Sequence, residues 1–118
     1  MIPPGLMRGI SLFNERRFWE AHEAWEEVWT IDRQGPDSGF YKGLIQVAAG
    51  CLHYRRRNRR GAVNKWRSGA DYLRPYLPAH LGVDLVAVVD RIDEMRAALD
   101  ADEAWPEWEL PRLSQSGG

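Results

Sequence analysis

Apolar residues recur every three to four positions along most of this chain, the spacing that puts side chains on one face of an α-helix. The pattern predicts helices over residues 6–13, 15–31, 38–57, 59–73 and 84–99. Glycine and proline interrupt it at residues 32–36, and prolines end it again at residues 75–78. No stretch shows the alternation of a half-buried strand. Because the connections are short, we predict an all-α fold, a single-domain bundle of four to five mostly antiparallel helices.

The second and the fifth predicted helix each have a clear inner face. In the second helix we expect the core face to consist of Phe18, Trp25, Val28 and Trp29. In the fifth helix the inner stripe is predicted to consist of Leu85, Val88, Val89, Ile92, Met95 and Leu99.

The end of the chain differs in composition from the helices before it. We predict a helical domain over residues 1–101 and a tail over residues 102–118, partly docked or disordered. The tail contains Trp105 and Trp108, and exposing two indoles to water is unfavourable. We therefore expect these tryptophans to dock on the bundle or to contact a second subunit.

The charges are unevenly distributed although the total is small. The chain of 118 residues has a formal net charge of -1. No Asp or Glu occurs between Ser38 and Ala70, whereas five arginines crowd into residues 55–60. A basic segment of this kind either binds an anion or packs beside acidic helices.

The cysteine content and the N-terminal residues indicate the cellular compartment in which the protein is expected. Cys51 is the only cysteine, which excludes an intrachain disulfide framework and a multi-cysteine zinc site. The first residues lack the basic and apolar regions of a signal peptide, and no run of about 18 apolar residues occurs. We therefore expect a protein of the reducing cytoplasm with no membrane partner.

Ionisable side chains lie at the margin of the aromatic face in the second predicted helix. His22 and Glu26 are four residues apart, so their side chains meet on a helix, while Glu23 lies further out. A carboxylate beside an imidazole fixes its tautomer. The pair therefore suits proton transfer or an oriented ligand. It also suits a purely structural contact at the edge of the core.

The metal-binding patterns are incomplete. The string H-E-A-W-E at residues 22–26 is similar to the zinc-protease pattern H-E-x-x-H, but Glu26 replaces the second histidine. The Glu-x-x-His pattern of di-iron proteins is missing, because Trp19 stands three residues before His22. His22, Glu26 and His53 remain the candidate ligands of a His/carboxylate metal site. The sequence indicates no particular cofactor.

The third predicted helix offers polar partners for this pair. Lys42, Gln46 and His53 share one stripe, with spacings of four and seven residues. If the second helix crosses here, His22, Glu26, Gln46 and His53 converge on one pocket. In the alternative, His53 lies exposed near the helix end, where the C-terminal dipole stabilises its charge.

The arginine cluster falls at the predicted turn between the third and fourth helices. Asn58 is expected to cap the fourth helix, and backbone amides at a helix start attract anions. The predicted anion-binding side chains are Arg55, Arg56, Arg59 and Arg60. The alternative is a solvated basic turn that pairs with the acidic second helix. Nucleic-acid binding is not expected, because no reading element or stacking platform accompanies the arginines.

Several of these segments together resemble one family. They are F-N at residues 13–14, F-W-E-A-H-E-A-W-E-E-V-W at residues 18–29 and Y-K-G-L-I-Q-V-A-A at residues 41–49. The chain resembles the DUF309 family over about residues 6–100, which implies a small all-helical bundle but supplies no activity. The signature positions that the resemblance marks are Phe18, Glu20, His22, Glu23, Trp25, Glu26, Trp29, Gly43, Gln46, His53, Asn58 and Ala62. The dense arginine turn departs from the family pattern, so any role of the arginines is expected to be local to this protein.

Three functions fit these observations. The first is a binding module for a small polar or anionic ligand, and its predicted ligand-binding residues are His22, Glu23, Glu26, Gln46, His53 and Asn58. The second is a hydrolase-like enzyme in which Glu26 orients His22 as a general base, with or without a metal. The third is an interaction module whose tryptophan surfaces pair with another chain, including a second copy in a homo-oligomer.

Overall fold

The computed structural model describes residues 2–101 and 110–116 of the chain. These residues form five α-helices, namely α1 (Pro4–Asn14), α2 (Phe18–Ile31), α3 (Ser38–Arg55), α4 (Arg59–Leu73) and α5 (Val86–Asp100). A 3-10 turn (Arg74–Tyr76) and a hairpin of two antiparallel strands, β1 (Ala79–His80) and β2 (Val83–Asp84), lie between α4 and α5. The all-α prediction is confirmed. None of the described helices is long and apolar enough to cross a lipid bilayer.

Helices α2 and α3 run antiparallel, as contacts at both ends of the pair show. At the end of α2, Trp29 Nε1 donates a hydrogen bond to Ser38 Oγ over 3.1 Å. At its start, the guanidinium of Arg55 lies 4.9 Å from the ring centroid of Phe18. The short connection between the two helices therefore folds the chain back on itself, and α3 lies along the whole length of α2.

Helix α3 approaches α4 closely because glycines stand at the contact. A Cβ on Gly50 would lie 2.5 Å from Nε1 of Trp66, a side chain that is fully buried. A Cβ on Gly69 would lie 2.9 Å from Val47 Cγ2 and 3.1 Å from a backbone oxygen of α3. Both glycines are explained by the lack of space for any side chain. This interface brings the neighbouring polar faces of α3 and α4 together as well.

The core draws side chains from every described helix. The largest fully buried ones are Trp25, Trp66, Phe13, Phe18, Phe40, Leu6, Leu44, Leu73, Leu85, Ile92, Met95 and Val47. On the predicted core face of α2, Phe18 and Trp25 are buried, whereas Val28 and Trp29 are partly buried against the core. The predicted inner stripe of the fifth helix is confirmed, because all six of its residues are buried.

Boundaries of the first three helices differ from the prediction, and α1 begins two residues earlier and ends one residue later than predicted. Helix α2 begins at Phe18, three residues later than predicted, and α3 ends at Arg55, two residues earlier. Arg16 and Arg57 have φ angles of 69° and 62°. This left-handed conformation interrupts a right-handed helix, and its occurrence at an arginine has no simple sequence signature.

The hairpin was not predicted, and it moves the start of α5 from Asp84 to Val86. Each strand is two residues long, which is too short for an alternating pattern. Leu81 and Gly82 form the turn with φ angles of 48° and 83°, both positive as a two-residue type I′ turn requires. Asp84 instead ends β2, and its carboxylate accepts the backbone N–H of Val86 over 3.0 Å.

Residues 110–116 pack against the bundle, next to the end of α1. Leu113 is buried, and its backbone makes two hydrogen bonds with the side chain of Asn14. Asn14 Oδ1 accepts the N–H over 2.9 Å, and Asn14 Nδ2 donates to the carbonyl over 2.8 Å. The two tryptophans predicted to dock on the bundle or on a second subunit, Trp105 and Trp108, lie outside the described residues.

Candidate functional site

A line of polar side chains runs along the side of α3 that lies between α2 and α4. It consists of Lys42, Gln46 and His53 and is called the polar stripe below. All three side chains are intermediate in exposure. Their spacing of four and seven residues places them on one face of the helix over roughly 16 Å. The polar stripe is therefore neither core nor freely solvated surface.

Two aromatic rings enclose the first end of the polar stripe. Lys42 Nζ lies 5.8 Å from the ring centroid of Trp29 on α2 and 5.2 Å from that of Tyr72 on α4. Trp29 is held in turn by its hydrogen bond to Ser38, and the guanidinium of Arg33 lies 4.8 Å from its ring centroid. These cation–π contacts hold the Lys42 ammonium group between α2 and α4.

His53 marks the other end of the polar stripe and contacts Asn58, the residue that caps α4. Asn58 Oδ1 accepts the backbone N–H of Gly61 over 3.0 Å, which confirms the predicted cap. The remaining amide nitrogen, Nδ2, is therefore the donor to His53 Nδ1, 3.1 Å away. Neutral His53 then carries its proton on Nε2, where it can be donated to a ligand or to water.

His22 lies on the face of α2 that carries Trp29, two helical turns earlier. Because α2 and α3 are antiparallel, His22 is level with the middle of the polar stripe along the helix axis. His22 Nε2 lies 3.4 Å from Glu26 Oε1, and its ring stacks on that of Trp19 with 5.3 Å between centroids. His22 Nδ1 is enclosed and has no hydrogen-bond partner among the described residues. A neutral ring that donates from Nε2 therefore keeps a bare acceptor at Nδ1.

Glu23 points away from the polar stripe. It lines an open groove of about 400 Å³ on the outer surface of α2, together with Glu26, Glu27 and Thr30. Glu26 borders both this groove and His22. Of the two candidate glutamates, only Glu26 is therefore in contact with the histidine.

The four candidate anion-binding arginines point in different directions. Arg55 donates to the backbone carbonyl of Arg16 over 2.8 Å and lies over the ring of Phe18. Arg59 and Arg60 line a cleft of about 290 Å³, whose other lining residues are Val63, Asn64, Leu99 and Asp100. Arg56 is exposed. Arg55 thus faces the start of α2, Arg59 and Arg60 share a cleft with the end of α5, and Arg56 faces solvent, so the four do not form one anion site.

The candidate metal ligands are paired with other groups. His22 contacts Glu26, and His53 contacts Asn58. Within residues 2–101 and 110–116, no three His, Cys, Asp or Glu side chains are grouped so that they could hold a metal ion. Cys51 faces the dry interior on another side of α3, and burial raises the pKa of its thiol to about 12.

An ionisable pair that the sequence did not predict links the hairpin to the start of α3. His80 Nε2 lies 2.7 Å from Asp37 Oδ1, and the two residues are 43 positions apart. The imidazole also contacts Phe40 and Tyr76, with centroids at 4.8 Å and 4.6 Å. Tyr76 Oη donates to the carbonyl of Pro36 over 2.8 Å. No local pattern signals this cluster, because the hairpin turn brings its members together.

The described residues define the class of protein: a bundle of five mostly antiparallel helices with a polar stripe along α3. Residues 6–64 match the family described as a domain of unknown function (DUF309). The match covers half of the 118 residues, and the chain belongs to this family. It includes the polar stripe, His22 and Asn58, and it ends within α4, whereas the expected resemblance reached residue 100. A search of the curated proteins finds no match to the chain.

Proposed function

We propose that this protein is a binding module that holds a small polar ligand with an anionic group along the polar stripe. The observation that carries the proposal is the half-buried position of Lys42, Gln46 and His53 between α2 and α4. A helix that only needs to pack does not require three polar side chains in such a place, because burying polar groups costs free energy unless they are paired.

The chemistry of the polar stripe favours an anion at one end and hydrogen bonding along the rest. The ammonium group of Lys42 is held by two rings, so little of its side-chain freedom is left to lose on binding. Gln46 has both a donor and an acceptor, and neutral His53 donates from Nε2. The exposed carboxylate of Glu26 complements a donor group on the same ligand, next to the ring of His22.

The contact between His22 and Glu26 supports a second candidate, a hydrolase-like enzyme. Here Glu26 orients His22 through Nε2, and Nδ1 is the base nitrogen, which a substrate reaches only when the side chains that enclose it move. Nε2 and Oε1 are 3.4 Å apart, which is longer than a typical hydrogen bond, and catalytic hydrogen bonds that are long in a free enzyme often shorten in the complex with substrate. In this case His22→Ala abolishes turnover of a chromogenic ester or phosphate ester, whereas a binding module shows no turnover above that of buffer.

The test of the first candidate is an NMR titration of the full chain with inorganic phosphate, citrate and succinate. The histidine ring signals report on it, since His22 and His53 flank the site while His80 lies at the hairpin. We expect saturable shifts of the His22 and His53 signals with at least one probe, and little change at His80.

A matched pair of charge-neutralising variants controls for bulk electrostatics. Lys42→Gln is expected to weaken the binding about tenfold, the loss of one charge-assisted hydrogen bond. Arg67→Gln removes one exposed charge from α4 and should leave the affinity unchanged. Equal weakening by both variants, or the absence of saturable shifts with all three probes, would contradict the proposal.

A further inference from the structure

We propose that the outer face of α2 is the docking surface for a second copy of this chain, in an antiparallel α2–α2 dimer with two-fold symmetry. This outer face is defined by Trp19, Glu23, Glu27 and Thr30. The proposal goes beyond the ligand site, which it borders because Trp19 stacks on His22, and it rests on the solvent side of α2 and on the arginine turn.

The outer face combines an exposed indole with carboxylates. Trp19 is 52 % exposed, although one side of its ring stacks on His22. Next to it the groove of about 400 Å³ is lined by Glu23, Glu26, Glu27 and Thr30. Half-exposed tryptophans are typical anchors of protein interfaces. The neighbouring carboxylates favour a basic partner.

The chain itself carries the complementary charge. Five arginines lie within residues 55–60, in the turn between α3 and α4 and in the adjoining ends of both helices, and no acidic residue occurs between Ser38 and Ala70. Arg56 and Arg57 are exposed. The arginine turn lies beside the start of α2, since Arg55 contacts the carbonyl of Arg16 and the ring of Phe18. Each copy therefore has its basic patch at one end of α2 and its acidic groove towards the other.

An antiparallel arrangement satisfies both patches at once. Residues 19 and 27 are about 12 Å apart along the helix axis. When two α2 helices lie side by side in opposite directions, the arginine turn of each copy faces the acidic groove of the other. The same contact occurs twice around the symmetry axis, so the assembly closes as a dimer. A parallel arrangement would place acidic grooves against each other, which like charges disfavour.

Sedimentation of the full chain tests the docking surface directly. We expect a monomer–dimer equilibrium between about 1 μM and about 500 μM, with a dissociation constant that rises with salt because the contacts are ionic. Trp19→Ala should raise that constant about tenfold or more, as expected for an interface anchor. Its helical signal in far-ultraviolet circular dichroism should be kept, since the ring is half exposed. A monomer across the whole range overturns the proposal.

Charge-reversal variants test whether the acidic groove of one copy contacts the arginine turn of the other. Glu23→Lys with Glu27→Lys in one variant, and Arg56→Glu with Arg57→Glu in another, should each abolish self-association. A mixture of the two should form a heterodimer, because the reversed groove meets the reversed turn and the native groove meets the native turn. Glu94→Lys, an exposed charge reversal on α5, serves as the control and should not affect dimerisation. Failure of the mixture to associate, or a dimer that tolerates either double reversal, overturns the proposal.

Discussion

Two sides of α3 meet their neighbours in different ways. On one side, called the dry side below, Leu44, Val47 and Cys51 are fully buried. On the same side Gly50 lets Trp66 of α4 come into close contact. On the other side, the polar stripe lies half-buried between α2 and α4. Packing explains each residue on the first side but not the choice of residues on the second. Changes on the dry side should therefore affect folding, and changes on the polar stripe should affect binding.

The reactivity of Cys51 should give the largest contrast between the dry side and solvent. Burial raises the pKa of the thiol from 9.0 to about 12, so the reactive thiolate is scarce in the folded protein. At pH 8 we expect an aromatic disulfide reagent to label native Cys51 about a thousandfold more slowly than the urea-unfolded chain, because exposure requires opening of a stable core. Similar rates in the two states would show that α3 is not enclosed.

The same shift predicts how stability responds to alkaline pH. Above pH 9 the unfolded thiol loses its proton while the folded thiol, with a pKa of about 12, keeps it. Deprotonation therefore favours the unfolded state, and this contribution to stability declines as the pH rises from 9 towards 12. Urea unfolding at pH 8 and pH 10 should show a larger loss in the wild type than in Cys51→Ala. Equal losses would mean that Cys51 is not the group responsible.

Leu44→Ala should cause the largest loss of folding free energy among the α3 variants considered. The side chain is fully buried, so its removal leaves a cavity at the centre of the bundle. We expect the free energy of unfolding in urea to fall by about 2–5 kcal/mol. A loss below about 1 kcal/mol would mean that the surrounding helices collapse around the site and that this side of α3 is not tightly packed.

Asn58→Ala should have an intermediate effect on stability, because Asn58 stabilises the start of α4 and also contacts the polar stripe. Its Oδ1 caps α4, and its Nδ2 contacts His53. Loss of the cap is expected to cost about 1 kcal/mol in urea unfolding. Asn58→Asp keeps the cap acceptor but has no donor for His53, so it should recover the stability while the His53 ring signals move. Equal destabilisation by both variants would contradict the assigned role of the cap.

The helices and the dry side of α3 could be predicted because local rules determine them. Apolar spacing gave five helices, Asn58 was recognisable as a cap, and the stripe of α5 was right at every position. The starts of α2 and α5 were wrong. The positive φ of Arg16 delays the start of α2 to Phe18, and Asp84 belongs to β2 instead of α5. These features depend on tertiary contacts, such as those between Arg16 and residues 110–111, that no local pattern encodes.

The candidate site was only partly predictable for the same reason. Spacing alone places Lys42, Gln46 and His53 on one face of α3, and places His22 next to Glu26. The rings that hold Lys42 belong to two other helices, so their convergence requires the packed structure. The pair of Asp37 and His80 was missed entirely, since it joins residues 43 positions apart.

Gln46→Ala should have the smallest effect on stability and is therefore the sharpest test of the comparison. Gln46 lies between Lys42 and His53 and two positions from Leu44, whose replacement by the same residue should cost several kcal/mol. Alanine is the better helix former, so we expect the free energy of unfolding to change by less than about 0.5 kcal/mol. The NMR titration with phosphate, citrate and succinate should nevertheless show weaker binding, because one donor and one acceptor are lost. A marked loss of stability without any change in binding would assign the polar stripe to packing, and the two sides of α3 would then differ in polarity but not in role.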